Sequence, residues 1–216
     1  MNWFRPLEGV HAAHELRRTM TPQNPRFAYA ASNFPLEDYG TGLAAGQTVR
    51  FLEQHCQSRA DQPFALWLSI PDPHEPWVCP EQYATLFPPD KIELPPWRAD
   101  EFSDGRVRLN RILYEMLGLR NDDLNDLYGL MAVYYGMVRF IDGALGQILD
   151  ALERLGLREE TIVVFCSDHG DMMGEHAMQC KGGAFYDCLA RAAGRLRGRG
   201  KFRPGLSMRA WSTWST

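Results

Sequence analysis

The chain has 216 residues, 45% of them hydrophobic and 23% charged, with a formal net charge of −4, enough for one good-sized core and at most two domains of an ordinary soluble globular protein. That balance gives no reason to expect nucleic acid as a partner, and no stretch approaches the about 18 uninterrupted apolar residues that would argue for a membrane span. The five cysteines, Cys56, Cys79, Cys166, Cys180 and Cys188, show no Cys-x-x-Cys spacing, so reduced thiols are the reading.

In chain order, residues 1–40 are punctuated by Pro6, Pro22, Pro25 and Pro35 and read as a loop-rich entry with at most a short helix over His11–Arg18. Met1–Gly9 lacks a basic region followed by an apolar run and a small-residue cleavage site, which points to a cytoplasmic protein. Leu43, Val49, Phe51 and Leu52 among polar residues predict an amphipathic helix from Thr41 to Arg59. Phe64–Ile70, an apolar run after Gln62-Pro63, predicts a strand. Nine prolines between 63 and 96 make the next segment a long irregular excursion, and such loops inside compact domains usually carry function.

From Leu124 to Leu155, apolar residues recur at three- and four-residue spacing (Leu127, Leu130, Met131, Tyr134, Val138, Ile141, Leu145, Ile148, Leu149, Leu152), the pattern of one long helix with an apolar face. Asn121-Asp122-Asp123 offers N-caps, and Gly156 suits the position after the last turn. Thr161–Phe165 then predicts a buried strand. Strand, long crossover helix, strand is the pattern of a parallel sheet covered by helices, an α/β fold.

The apolar strand at 161–165 ends in Cys166-Ser-Asp-His-Gly-Asp-Met-Met-Gly-Glu-His176, with Lys181-Gly182-Gly183 close behind. A strand that delivers Asp168 and His169 to a turn at its C-terminal edge places ligand-type side chains where open α/β sheets build their sites. Carboxylate and imidazole suit a divalent cation, and a lysine neutralises a tetrahedral anion. For an isolated Asp-His pair the competing reading is a helix cap beside a loop histidine. The surrounding Glu175, His176 and Lys181 tip the balance towards a site. His74, in Pro71-Asp-Pro-His-Glu-Pro76, repeats the design of an apolar run that breaks at prolines and presents an imidazole.

These two motifs, in this order, resemble those of the sulfatase family in the alkaline-phosphatase superfamily, with the likeness running from about Glu37-Asp38-Tyr39 to Asp187. The resemblance implies an α/β fold with a mostly parallel, alkaline-phosphatase-like sheet flanked by helices, here incomplete. It implies that Asp168 and His169 form half of a divalent-metal site, with calcium first and manganese or zinc as alternatives. Lys181 matches the lysine that contacts the sulfate group, and His74 the histidine that contacts sulfate or assists the leaving group. The implied substrates are small-molecule sulfate esters, with phosphonate or phosphate esters as the alternative. Asp171, Glu175 and His176 are assigned to shaping the loop, and Tyr186 and Asp187 to structure.

Two family features are absent. The nucleophile is a formylglycine made from the first residue of a Cys/Ser-x-Pro/Ala-x-Arg motif, yet the residues four beyond the five cysteines are Ala60, Tyr83, Gly170, Ala184 and Ala192. No Asp-Asp pair ends a first strand, and Asp122-Asp123 lies before the long helix. The expectation is a central fragment of a sulfatase-type catalytic domain over residues 1–187, inactive and poorly soluble alone. The alternatives are a phosphonate or phosphodiester hydrolase of the same superfamily, or a noncatalytic binding protein on the same fold.

Residues 188–216 break the pattern. Residues 1–187 hold 16 basic and all 27 acidic groups, whereas Arg191, Arg195, Arg197, Arg199, Lys201, Arg203 and Arg209 follow with no acid. This reads as an aberrant basic tail, frame-shifted or disordered, with a polybasic arm for an acidic partner as the alternative.

Overall fold

The computed structural model describes residues 29–98, 100–102, 108–119 and 123–198. The short helix read over His11–Arg18 and the end of the tail lie outside them. The chain divides into two compact units, one from 1–92 with 128–158 and the other from 93–127 with 159–216.

In the first unit, β1 (Tyr29–Ser32) pairs in parallel with β2 (Trp77–Pro80), with Tyr29 opposite Trp77 and Ser32 opposite Pro80. Parallel neighbours need a long crossover, and α1 (Gly40–Ser58) lies within it. The helix stands where its spacing predicts, but its buried face is Thr41, Ala45, Thr48, Leu52 and His55, a clean three-four stripe of mostly small residues. Phe51, counted among the apolar positions, lies exposed. The Thr48 hydroxyl donates to the Ala44 carbonyl at 2.9 Å, which satisfies it inside the helix.

Phe64–Ile70 is not a strand. An apolar run becomes a strand only where a neighbour offers ladder hydrogen bonds, and among the described residues none pairs with this one. Trp67 is 84% exposed, while Phe64 packs edge-on to His55 of α1 with ring centroids 5.0 Å apart. The strand of this region is β2, fully buried over all four residues. It ends at Pro80, where a missing N–H costs the ladder least, and a one-turn helix α2 (Glu81–Ala84) follows.

A long helix, α4, spans Leu124–Arg154, preceded in sequence by α3 (Arg108–Leu117), which the sequence reading did not anticipate. In α4, Leu127, Leu130, Met131 and Leu152 are buried as the spacing predicts, but the buried face departs from the expected one in the middle of the helix. Met137, Phe140 and Ala144 are buried, whereas Val138 is exposed. The cause is close approach: a Cβ on Gly136 would stand 2.8 Å from Cys79 Sγ and 2.9 Å from the Ala84 backbone, so the glycine side, not the bulkiest side, meets β2 and α2. Phe140 then packs with Tyr39, Val78 and Tyr83, edge-on to Tyr39 at 5.7 Å.

In the second unit, β3 (Val163–Cys166) pairs antiparallel with β6 (Gly194–Arg197), Phe165 facing Arg195 and Val163 facing Arg197. The predicted strand is present, but it is not buried, with Val164 60% exposed. The two-residue strands β4 (Met172–Met173) and β5 (Gln179–Cys180) make a tight antiparallel pair. The core of this unit gathers Leu113 of α3, Met172, Met178 and Leu189, with Phe102, Tyr114 and Tyr186 packed around it. Burying such a Leu or Met side chain stabilises by about 1.5–3 kcal/mol. Leu189 belongs to the one-turn helix α5 (Asp187–Ala190). The described part of the basic tail therefore forms α5 and β6. Among the described residues, which include all five cysteines, no disulfide forms, and no helix is long and apolar enough to cross a membrane.

Candidate active site

Asp168 and His169 stand on the turn that leaves β3, held from both sides by main chain. The Ser167 N–H donates to the Ala193 carbonyl at 2.9 Å, and the Ala193 N–H returns a bond to Ser167 Oγ at 2.7 Å. The Gly170 N–H donates to the Leu189 carbonyl at 2.9 Å. A side chain at 170 would run into the Cys188 carbonyl oxygen, which is why the residue after the histidine is glycine. These bonds tie the turn to α5 and β6.

The turn presents its side chains outward, Asp168 86% and His169 40% exposed. The His169 N–H donates to Asp168 Oδ1 at 2.9 Å, the local bond that lets aspartate shape a turn. His169 Nδ1 lies 2.8 Å from the Gly170 carbonyl. A carbonyl only accepts, so Nδ1 carries the proton and, in the neutral ring, Nε2 keeps its lone pair. That nitrogen is 3.6 Å from Asp168 Oδ2, beyond a hydrogen bond. Two lone-pair donors at that separation match neighbouring ligands of an ion bound at about 2.3–2.6 Å. The pair fits a divalent cation as part of a shell. Among the described residues no group of three or more His, Cys, Asp or Glu side chains is gathered to complete one.

The loop from 174 to 186 carries Lys181, which is half-buried. Its backbone is unusual. Gly174 has φ 112°, and His176, Ala177 and Cys180 lie at φ 56°, 51° and 61°, where non-glycine residues cost about 1–3 kcal/mol each and persist only if their surroundings hold them. Glu175 Oε2 accepts the Met173 N–H at 2.6 Å. His176 Nδ1 bonds Glu101 Oε1, and its ring stacks on Tyr186, centroids 3.8 Å apart and 22° from parallel. The Leu119 N–H donates to the Ala177 carbonyl at 2.8 Å. The loop-shaping roles read for Glu175 and His176 are what their contacts show. Glu101 was not foreseen: it lies 75 residues from its partner, and nothing in its local sequence marks it.

His74 belongs to the first unit, apart in sequence and unit from Asp168, His169 and Lys181. It stands in a turn ahead of β2, not at the end of a strand, with its N–H on the Pro71 carbonyl at 3.1 Å. Its Nδ1 lies 2.7 Å from the Glu75 carbonyl, so Nδ1 is the donor and Nε2 the nitrogen left for other chemistry. Asp72, two residues earlier, accepts the buried Thr41 hydroxyl at 2.6 Å, which anchors this turn to the start of α1. Behind it, burial above all, and then the Asp72 charge, push the Cys79 thiol up to about 12.

A family model for sulfatases matches residues 11–204. The chain belongs to the sulfatase family. It is 33% identical to the uncharacterized sulfatase YidJ of Escherichia coli over 147 residues, covering 68% of this chain and 28% of that protein. A choline-sulfatase of Rhizobium meliloti is 26% identical over 173 residues, 79% of this chain and 33% of its own. The solved phosphonate monoester hydrolase of Agrobacterium radiobacter aligns with a TM-score of 0.65 and 27% identity, over 84% of this chain and 37% of that one. The chain thus spans about a third or less of the curated relatives it matches. Its fold is alkaline-phosphatase-like, mixed helix and strand, with small incomplete sheets.

Proposed function

We propose that this sulfatase-family chain supplies the central part of a sulfate-ester hydrolase, including one side of its metal site. The observation that carries the reading is the turn after β3, where Asp168 and His169 set a carboxylate oxygen and an imidazole nitrogen 3.6 Å apart on a main-chain frame. Asp168 and His169 would hold the ion, calcium by preference with manganese or zinc as alternatives, and the remaining ligands would come from outside the described residues. When bound, such an ion orients the sulfuryl group and neutralises its oxygens.

The other roles belong to this chain's own side chains. Lys181 would place an ammonium against the tetrahedral anion as its charge grows. His74, with its proton fixed on Nδ1, would present Nε2 to the ester, contacting the sulfate or, when protonated, giving a proton to the departing alcohol. The nucleophile is not supplied by this sequence, in which no cysteine opens a Cys-x-Pro/Ala-x-Arg motif. The likeness to a phosphonate monoester hydrolase at 27% identity supports a second reading, in which the ester is a phosphonate or phosphate.

A segment exchange tests both. Residues 29–198 replace the matching stretch of an active arylsulfatase, and the hybrid is assayed on aryl sulfate and on aryl phosphonate with added calcium, manganese or zinc. Sulfate turnover that falls on Asp168→Asn and on Lys181→Ala is the expected result. Turnover of phosphonate alone would favour the second reading, and a folded hybrid indifferent to both substitutions would overturn the site. The isolated chain is expected to turn over neither ester.

A further inference from the structure

The loop that carries Lys181 is held in a costly backbone path by contacts that no residue of the turn at Asp168 provides. Gly174 packs against Pro95, whose Cδ would lie 3.2 Å from a Cβ at that position. Six residues on, Glu101 reaches His176 Nδ1, and the opposite face of the problem is closed by Tyr186 stacked on the imidazole. Glu101 and His176 are both half-buried, and the Tyr186 hydroxyl is buried with no hydrogen-bond partner among the described residues. The ring of Tyr186, not its hydroxyl, is therefore what the arrangement uses.

We propose that Glu101, His176 and Tyr186 form a clamp that fixes the Gly174–Tyr186 loop and so positions Lys181. The proposal rests on the reading of Lys181 as the anion-contacting residue, and it makes the three clamp members positioning residues. The bond from His176 to Glu101 is charge-assisted by the carboxylate, and the stacked Tyr186 ring holds the imidazole in the orientation that makes it. Neighbouring carboxylates have partners of their own: Glu175 is engaged by the Met173 N–H and Asp187 by Arg191.

The sequence makes the test clean, because Lys91, Lys181 and Lys201 are its only lysines. The full chain is acetylated briefly and the Lys181:Lys91 labelling ratio is read by mass spectrometry, with Lys91, exposed in the other unit, as the internal reference. In His176→Gln and in Glu101→Gln the ratio is expected to rise about threefold or more over the parent, the factor for weakening one charge-assisted bond, whereas Tyr186→Phe, which keeps the stack, should behave as the parent. A Glu101→Gln chain with native circular dichroism that keeps the parent's ratio overturns the proposal. So does a Tyr186→Phe chain whose ratio rises as far as that of Glu101→Gln. The arylsulfatase hybrid separates the two readings: sulfate turnover unchanged by Lys181→Ala there would sink its anion role and leave the clamp standing.

Discussion

The two regions that bear the expected site residues are built in opposite ways. Around His74 the supporting strand β2 is wholly buried, and α4 presses against it at Gly136. Around Asp168 the supporting strand β3 has the more apolar sequence, Val-Val-Phe-Cys, yet three of its four residues are exposed. The difference teaches that apolar composition states the environment a strand is suited to, while burial depends on which neighbours are present. The Asp168 turn keeps its shape by main-chain bonds to α5 and β6 instead of by a packed core.

Four measurements can break or sharpen that contrast. The largest effect concerns thiols. With its titration pushed to about 12 from a usual 9.0, Cys79 should hold about a thousandfold less thiolate than an ordinary cysteine at neutral pH. In native chain it should be the last thiol to react with iodoacetamide and exposed Cys166 among the first, and early labelling of Cys79 would show β2 to be accessible. Next, Leu130→Ala in the fully buried stripe of α4 should cost about 2–5 kcal/mol in urea unfolding. Gly170→Ala should cost about 1–3 kcal/mol, because its Cβ meets the Cys188 carbonyl, and amide exchange at Gly170 should quicken. The smallest effect should follow Val164→Ser on β3, within about 0.5 kcal/mol, as for other exposed positions. A cost near that of Leu130→Ala would mean that β3 is covered.

Helices α1 and α4 were legible because a repeat of three and four survives in sequence, although their buried faces were legible only in part. Small residues such as Ala45, Thr48, Gly136 and Ala144 decide which side approaches a neighbour, and a count of large apolar residues overlooks them. Strand β3 was legible as a β-branched run. Phe64–Ile70 gave the same signal without a pairing partner, while β1, Tyr-Ala-Ala-Ser, gave almost none. Asp168 and His169 could be read from their place after a strand. His74 and Lys181 drew their roles from resemblance, since a turn histidine and a loop lysine are locally unremarked. Glu101 was invisible, because its meaning lies in one contact with His176.

The reciprocal bonds between Ser167 and Ala193 make β6 a measuring edge for the turn at Asp168. A chain cut after Asp187 would keep every residue proposed to touch metal or anion, yet it would lose the Leu189 and Ala193 groups that set the spacing of Ser167 and Gly170. Its proposed ligands would remain in the sequence without a template to hold them in register, so shortening the protein at its arginine-rich end would be an amputation of the proposed site.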